Sequence, residues 1–124
     1  MIVEWVLPDD LSAARAARAH MADALARQGV SHALADDIVL VASELAANAI
    51  RHGSPPALLA LDCAAERIRV TVSNHGASAE PRILDAPADA GHGRGLAMVR
   101  ELAEQVGWER DGDRLDVWAE FPLS

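Results

Sequence analysis

The feature that most restricts the fold is a change of hydrophobic period at Pro55-Pro56. Upstream, apolar residues recur every three to four positions, the spacing of one helix face. They are Leu11, Ala14, Ala17, Met21 and Leu25, then Leu34, Ile38, Val41 and Leu45. Downstream the period is two, as in a half-buried strand. Over residues 67–73, Ile68, Val70 and Val72 point one way, and Arg67, Arg69 and Thr71 the other. Helices followed by strands in a chain of 124 residues leave room for one core, in which the helices cover the apolar face of a sheet.

Breaker residues place the boundaries. Residues 2–7 read as a first strand, stopped by Pro8, with Asp9 and Asp10 opening a helix over 11–27 that Gly29 ends. Ser31 is the expected N-cap of a second helix running to about residue 52, with Gly53-Ser54-Pro55-Pro56 as its stop. Strands are expected at 57–63 and 67–73, and a helix at 96–105. A hairpin of 106–110 with 114–121 turns at Asp111-Gly112-Asp113. Residues 74–95 keep no period and hold Gly76, Pro81, Pro87, Gly91, Gly93 and Gly95; so long a loop in a compact domain is usually functional.

The order β-α-α-β-β-loop-α-β-β describes an α+β two-layer sandwich. We expect a mixed, mainly antiparallel sheet of about five strands with three helices on one face, as a single domain over 1–124. Trp118 falls on the side of the last strand opposite Leu115, Val117, Ala119 and Phe121, so the other sheet face is expected to be partly open or used by a partner.

Charge excludes whole classes of function. The 11 basic residues are all Arg and face 19 acidic ones, for a net charge of −8. Such a chain suits neither nucleic acid nor anionic lipid, both polyanions. The absence of Lys removes the Walker A loop and the eukaryotic-type protein kinase, each of which needs a Lys on phosphate. Phosphate handling is left to backbone amides, Arg and metal. The N-terminal residues lack a basic segment followed by an apolar core, no apolar run reaches membrane length, and Cys63 has no cysteine to pair with; we expect a cytoplasmic protein.

Two groups of residues invite chemistry. At 100° per residue, Asn48 and His52 fall on the apolar stripe of the second helix and Glu44 on its edge. One reading is a capped core amide with a rim carboxylate. The other is a ligand cavity, in which a carboxylate activates a nucleophile and an amide oxygen binds Mg²⁺. The second group is Gly91-His92-Gly93-Arg94-Gly95-Leu96, which opens the third helix. Glycines there let a phosphate reach the backbone, and a helix start offers free N–H groups. An ordinary glycine-rich loop, with Arg94 solvated, is the alternative. Leu96 and the lack of a preceding strand exclude a Rossmann fingerprint. No Ser, His and acid arrangement and no H-E-x-x-H motif points to a hydrolase.

Taken together, three segments resemble a known family. Residues 43–52 (Ser-Glu-Leu-Ala-Ala-Asn-Ala-Ile-Arg-His) look like the N-box of the histidine-kinase-like (GHKL) ATPases. Val72-Ser73-Asn74-His75-Gly76 stands where that family keeps its first glycine box, and 91–96 resembles the second. In size the chain is most similar to the small anti-sigma-factor serine/threonine kinases of actinobacterial type.

The resemblance implies ATP and Mg²⁺ as cofactors. It makes Asn48 the Mg²⁺ ligand and Glu44 the general base on a protein hydroxyl. Residues of about 77–92 become the ATP lid, and Gly91, Gly93, Arg94, Gly95 and the Leu96 amide a phosphate cradle. Asn74 and Gly76 would line the base site. His52 would contact ligand or serve as a core histidine satisfied by backbone. The implied partners are a sigma factor and an anti-anti-sigma antagonist, with a homodimer through the sheet or first helix. One departure stands out: the family's first glycine box begins with Asp, whose carboxylate accepts from the adenine amino group, whereas this chain has Asn74, with Ala77 and Ser78 where the second glycine would fall. An amide oxygen is the weaker acceptor. A non-catalytic binding module with weak or lost nucleotide binding is therefore the alternative function.

Overall fold

The computed structural model describes residues 1–76 and 94–123. Strand β1 (Ile2–Val6) leads into helices α1 (Ala13–Arg27) and α2 (His32–His52), then β2 (Ser54–Cys63) and β3 (Arg67–His75). Helix α3 (Arg94–Leu102) and the hairpin β4 (Gln105–Asp111) and β5 (Arg114–Pro122) complete the fold. The strands form one sheet in the order β1-β2-β3-β5-β4, and all four pairings are antiparallel. This is the expected α+β sandwich.

The alternating apolar residues of the inner strands, Leu59, Leu61, Ile68, Val70, Val72, Leu115, Val117, Ala119 and Phe121, are buried. Ile38, Val41 and Leu45 of α2 and Met21 and Leu25 of α1 join them in one core. Helix α2 is the central element, packing on α1, α3, β2 and β3. Its start is set by Ser31, whose hydroxyl accepts from the Leu34 amide at 3.4 Å. Gly29 follows α1 with φ +71°, as its position in the sequence anticipates.

Several boundaries differ from the sequence expectation: β2 begins at Ser54, so Pro55-Pro56 lies within the strand it was expected to precede, and α3 begins at Arg94. Helix α1 begins at Ala13, and Leu11, counted in its apolar series, is 95% exposed. The cause is local: the Ser12 hydroxyl and amide both donate to the Asp10 carboxylate, so the chain turns tightly before the helix. These bonds, the hydroxyl first, hold the Asp10 carboxyl below its ordinary range. Strand β3 runs on through Asn74 and His75, which pair with Leu115 and Arg114, so partner-strand pairing overrides their poor strand propensity. Helix α3 stops at Leu102 because the Glu104 amide donates to the Glu120 carbonyl at 2.9 Å, drawing the chain into β4.

On the far face of the sheet Trp118 stands level with Thr71 and Gly107, away from the core, as its place in the alternation requires. The Arg69 guanidinium lies 4.2 Å from its ring centroid and its Nε donates to Glu120 at 2.8 Å. Arg67 bridges Glu104 and Glu120, each at 3.2 Å. Ile2 and Val6 of the edge strand are exposed on this face. Among the described residues no helix is long and apolar enough to cross a membrane.

Candidate functional site

The site is built on α2. One face of this helix is committed to the core, which fixes its rotation and so fixes where its polar residues stand. Glu44 is half-buried on the edge of that face. Asn48, one turn further on, is only 8% exposed. Among the described residues its Oδ1 is buried with no hydrogen-bond donor. A buried carbonyl oxygen without a donor costs about 1–3 kcal/mol. An acceptor so placed, one helical turn from a carboxylate, is chemically able to take a ligand. His52, by contrast, is exposed in the last turn and is not a core histidine.

Asn74 reaches the same helix from β3. It is 5% exposed, and its Nδ2 donates to the Ala49 carbonyl at 3.2 Å. That carbonyl also accepts from the Gly53 amide at 2.9 Å, so Asn74 helps close the C-terminal end of α2. The amide sits so close to Gly53 that a Cβ there would fall 1.8 Å from Nδ2. The donor that distinguishes Asn from Asp is thus already engaged.

Gly76 follows β3 with φ +74°, a backbone region that favours glycine. Its amide donates to the Asp113 carbonyl at 2.9 Å, tying the end of β3 to the β4–β5 turn. His75 Nδ1 lies 3.6 Å from the Asp113 carboxylate. Arg94, Gly95 and Leu96 occupy the first turn of α3, where backbone N–H groups are free of intrahelical partners and the dipole favours an anion. Gly91, Gly93 and the expected lid over 77–92 lie outside the described residues. The fold therefore brings Asn74 of β3 against the helix that carries Glu44 and Asn48, and α3 packs beside that helix.

The donor set suits a hard divalent cation. Asn48 offers a carboxamide oxygen, and Mg²⁺ is commonly held by one or two protein oxygens plus phosphates and water. Among the described residues no group of three or more His, Cys, Asp or Glu side chains forms a metal cage; an ion carried mainly by phosphate needs none.

One contact of Asn74 escaped the sequence reading. The Ala49 carbonyl, the acceptor for Asn74, left no signal in the sequence because it is backbone.

Comparisons with known proteins agree with this fold. A family model described as "Histidine kinase-like ATPase domain" matches residues 7–121. No curated protein matches the sequence significantly. Among solved structures, the chain resembles the RsbU and RsbW domains of a Mycobacterium tuberculosis protein, with a TM-score of 0.76 at 23% identity over 99% of this chain. It spans 32% of that protein's chain. The SiaB–SiaC complex from Pseudomonas aeruginosa matches with a TM-score of 0.60 at 13% identity, covering 98% of this chain and 89% of that one. The histidine kinase domain of a blue-light activated histidine kinase from Erythrobacter litoralis gives 0.53 at 27% identity, covering 73% and 45%. With its sheet order, its N-box helix and a family match over most of its length, the chain belongs to the histidine kinase-like ATPase domain family.

Proposed function

We propose that this domain binds Mg·ATP and transfers the γ-phosphoryl group to a Ser or Thr hydroxyl of a partner protein, acting as an anti-sigma-type partner-switching regulator. The observation that carries this reading is the buried Oδ1 of Asn48, without a hydrogen-bond partner among the described residues and one turn from Glu44. Mg²⁺ would supply charge neutralisation between the phosphates, and Asn48 would be its protein ligand. Glu44 accepts the hydroxyl proton as the new O–P bond forms and the bond to the ADP oxygen breaks. Arg94, Gly95 and the Leu96 amide would hold phosphate together with Gly91 and Gly93, and His52, Asn74 and Gly76 would contact the nucleotide. In a chain without Lys, negative charge on phosphate falls to metal, helix N-terminal amides and Arg.

The likeness to RsbU and RsbW domains and to a SiaB–SiaC complex supports binding to a partner protein, which we take to be a sigma factor or its antagonist. A homodimer through the open sheet face, where Ile2 and Val6 are exposed, completes the reading. Titration calorimetry with Mg·ATP and a radiolabel transfer assay on antagonist proteins encoded in the same genome test it. Glu44→Gln should retain nucleotide binding and lose transfer by at least ~100-fold, the lower range for a general base. No heat at millimolar Mg·ATP would defeat the proposal.

The second reading is a non-catalytic binding module, and Asn74 favours it. Its amide is tied to the end of α2, where the family's Asp would face the nucleotide base. Partner binding that neither needs nor responds to nucleotide would select this reading, and phosphorylation of any partner would eliminate it.

A further inference from the structure

We infer that Asn74 selects a base with an exocyclic amino group over one with an oxo group, and that Gly53 is the positioning residue that makes this selection possible; this rests on the nucleotide-binding reading. The observation behind it is the interlock of Asn74 with the Ala49 carbonyl and with Gly53.

Asn74 ends the buried row of Ile68, Val70 and Val72 along β3. An amide presents an oxygen and a nitrogen of nearly equal size, and turning it over exchanges acceptor for donor. A free asparagine can therefore serve a base of either polarity. The Ala49 carbonyl removes that freedom. A carbonyl only accepts, so the amide nitrogen must face it, as it does at 3.2 Å. The turned-over amide would lose that bond and set two acceptor oxygens against each other in a buried place. Nδ2 gives one of its two hydrogens to Ala49, which leaves Oδ1 and one N–H for a ligand. An acceptor next to a donor complements a 6-aminopurine, whose amino group donates and whose neighbouring ring nitrogen accepts. A 6-oxopurine puts an acceptor oxygen where the donor is needed.

Gly53 supplies the room for this arrangement. Ser54 pairs with His75, which leads the chain leaving α2 past Asn74. The φ of −123° and ψ of −175° at Gly53 are open to any residue, so the backbone conformation does not require glycine. The close approach does: a Cβ would fall 1.8 Å from Asn74 Nδ2 and 2.4 Å from its Cγ. A side chain at this position drives the amide off Ala49, and the fixed order of donor and acceptor goes with it.

The test is calorimetry on the full chain with Mg·ATP and with Mg·ITP, whose base carries an oxo group in place of the amino group. The wild type should bind ATP at least about fivefold more tightly than ITP, the low end for a matched amide–base pair, and Gly53→Ala and Asn74→Ala should each bring the two affinities within about twofold. A second readout needs no nucleotide. Gly53→Ala should lower the melting temperature of the free domain by at least ~3 °C. In an Asn74→Ala background the same substitution should cost less than half as much, although the Ala49 carbonyl, 3.0 Å from that Cβ, still resists it. Equal losses in both backgrounds overturn the interlock. Gly53→Ala that weakens both nucleotides alike and keeps their ratio makes Gly53 structural only and overturns the inference. So does a wild type that binds ITP as tightly as ATP, a result that leaves the nucleotide-binding reading standing. A wild type that binds neither nucleotide brings down that reading and the inference with it.

Discussion

Restoring the family's carboxylate by Asn74→Asp should destabilise the domain in the absence of nucleotide. The side chain is 5% exposed and its Nδ2 donates to the Ala49 carbonyl at 3.2 Å. An ionised Asp has no proton for that bond and sets a negative oxygen against a carbonyl oxygen. The lost bond and the desolvated charge together cost about 2–4 kcal/mol. For 124 residues that corresponds to a melting temperature lower by roughly 10 °C.

The pH dependence gives the sharper check. Burial beside a carbonyl raises the carboxyl's folded pKa above the unfolded value of about 3.9. Between those two values the folded state holds more protons than the unfolded one, so stability falls as pH rises. The deficit relative to wild type is therefore full above the folded pKa and shrinks toward pH 4, where a protonated carboxyl again donates to Ala49. Urea unfolding at pH 7.5 and pH 4.5 measures it, with Asn74→Ala as the charge-free control whose smaller deficit does not change with pH. Asn74→Asp that equals or exceeds wild-type stability at pH 7.5, or a deficit that grows on acidification, would refute the assignment of Asn74 as a tie on α2.

Asn48→Leu removes a buried acceptor that has no donor among the described residues, so the nucleotide-free domain should keep its stability within about 1 kcal/mol or gain some, while Mg²⁺-dependent ATP binding disappears; urea unfolding and calorimetry read the two effects. Gly107→Ala places a methyl 2.3 Å from the Trp118 ring and should cost about 1–3 kcal/mol, with a changed near-ultraviolet circular dichroism signal as the indole leaves Arg69. Ser31→Ala removes the N-cap of α2, and because that bond is long at 3.4 Å the expected loss is about 0.5–1 kcal/mol by urea unfolding.

The elements that the sequence reveals are those fixed by local chemistry. The cap at Ser31, the stop at Gly29 and the alternation of β3 and β5 each depend on residues near in sequence, and they fall where expected. Leu11 misleads because period counting is blind to a turn: it matches the helical spacing, but Asp10 and Ser12 bond to each other before the helix begins. Asn74 and His75 misleadingly read as loop because their strand geometry comes from β5, about 40 residues away. Within the site, Glu44 and Asn48 are legible from helix periodicity. The engagement of Asn74 is not, because its acceptor is a backbone carbonyl 25 residues earlier that only the tertiary fold delivers.

Helix α2 carries two demands that compete. Its apolar face supplies Ile38, Val41 and Leu45 to the core, and the rotation that buries them also buries Asn48. A stability criterion alone would place an apolar residue there. The neighbouring core is large enough to tolerate the cost: each fully buried Ile, Val or Leu contributes about 1.5–3 kcal/mol, against about 1–3 kcal/mol for the orphaned acceptor. The bond from Asn74 Nδ2 to the Ala49 carbonyl holds the same helix one residue beyond Asn48. A ligand that supplies the missing electrostatic partner recovers the cost on binding, and by linkage it raises domain stability by an amount set by its concentration over its dissociation constant. Mg·ATP, with Asn48 as the ion's proposed ligand, should therefore stabilise the wild type and leave Asn48→Leu unchanged. Stabilisation of both by Mg·ATP to the same degree would separate the orphaned oxygen from nucleotide binding.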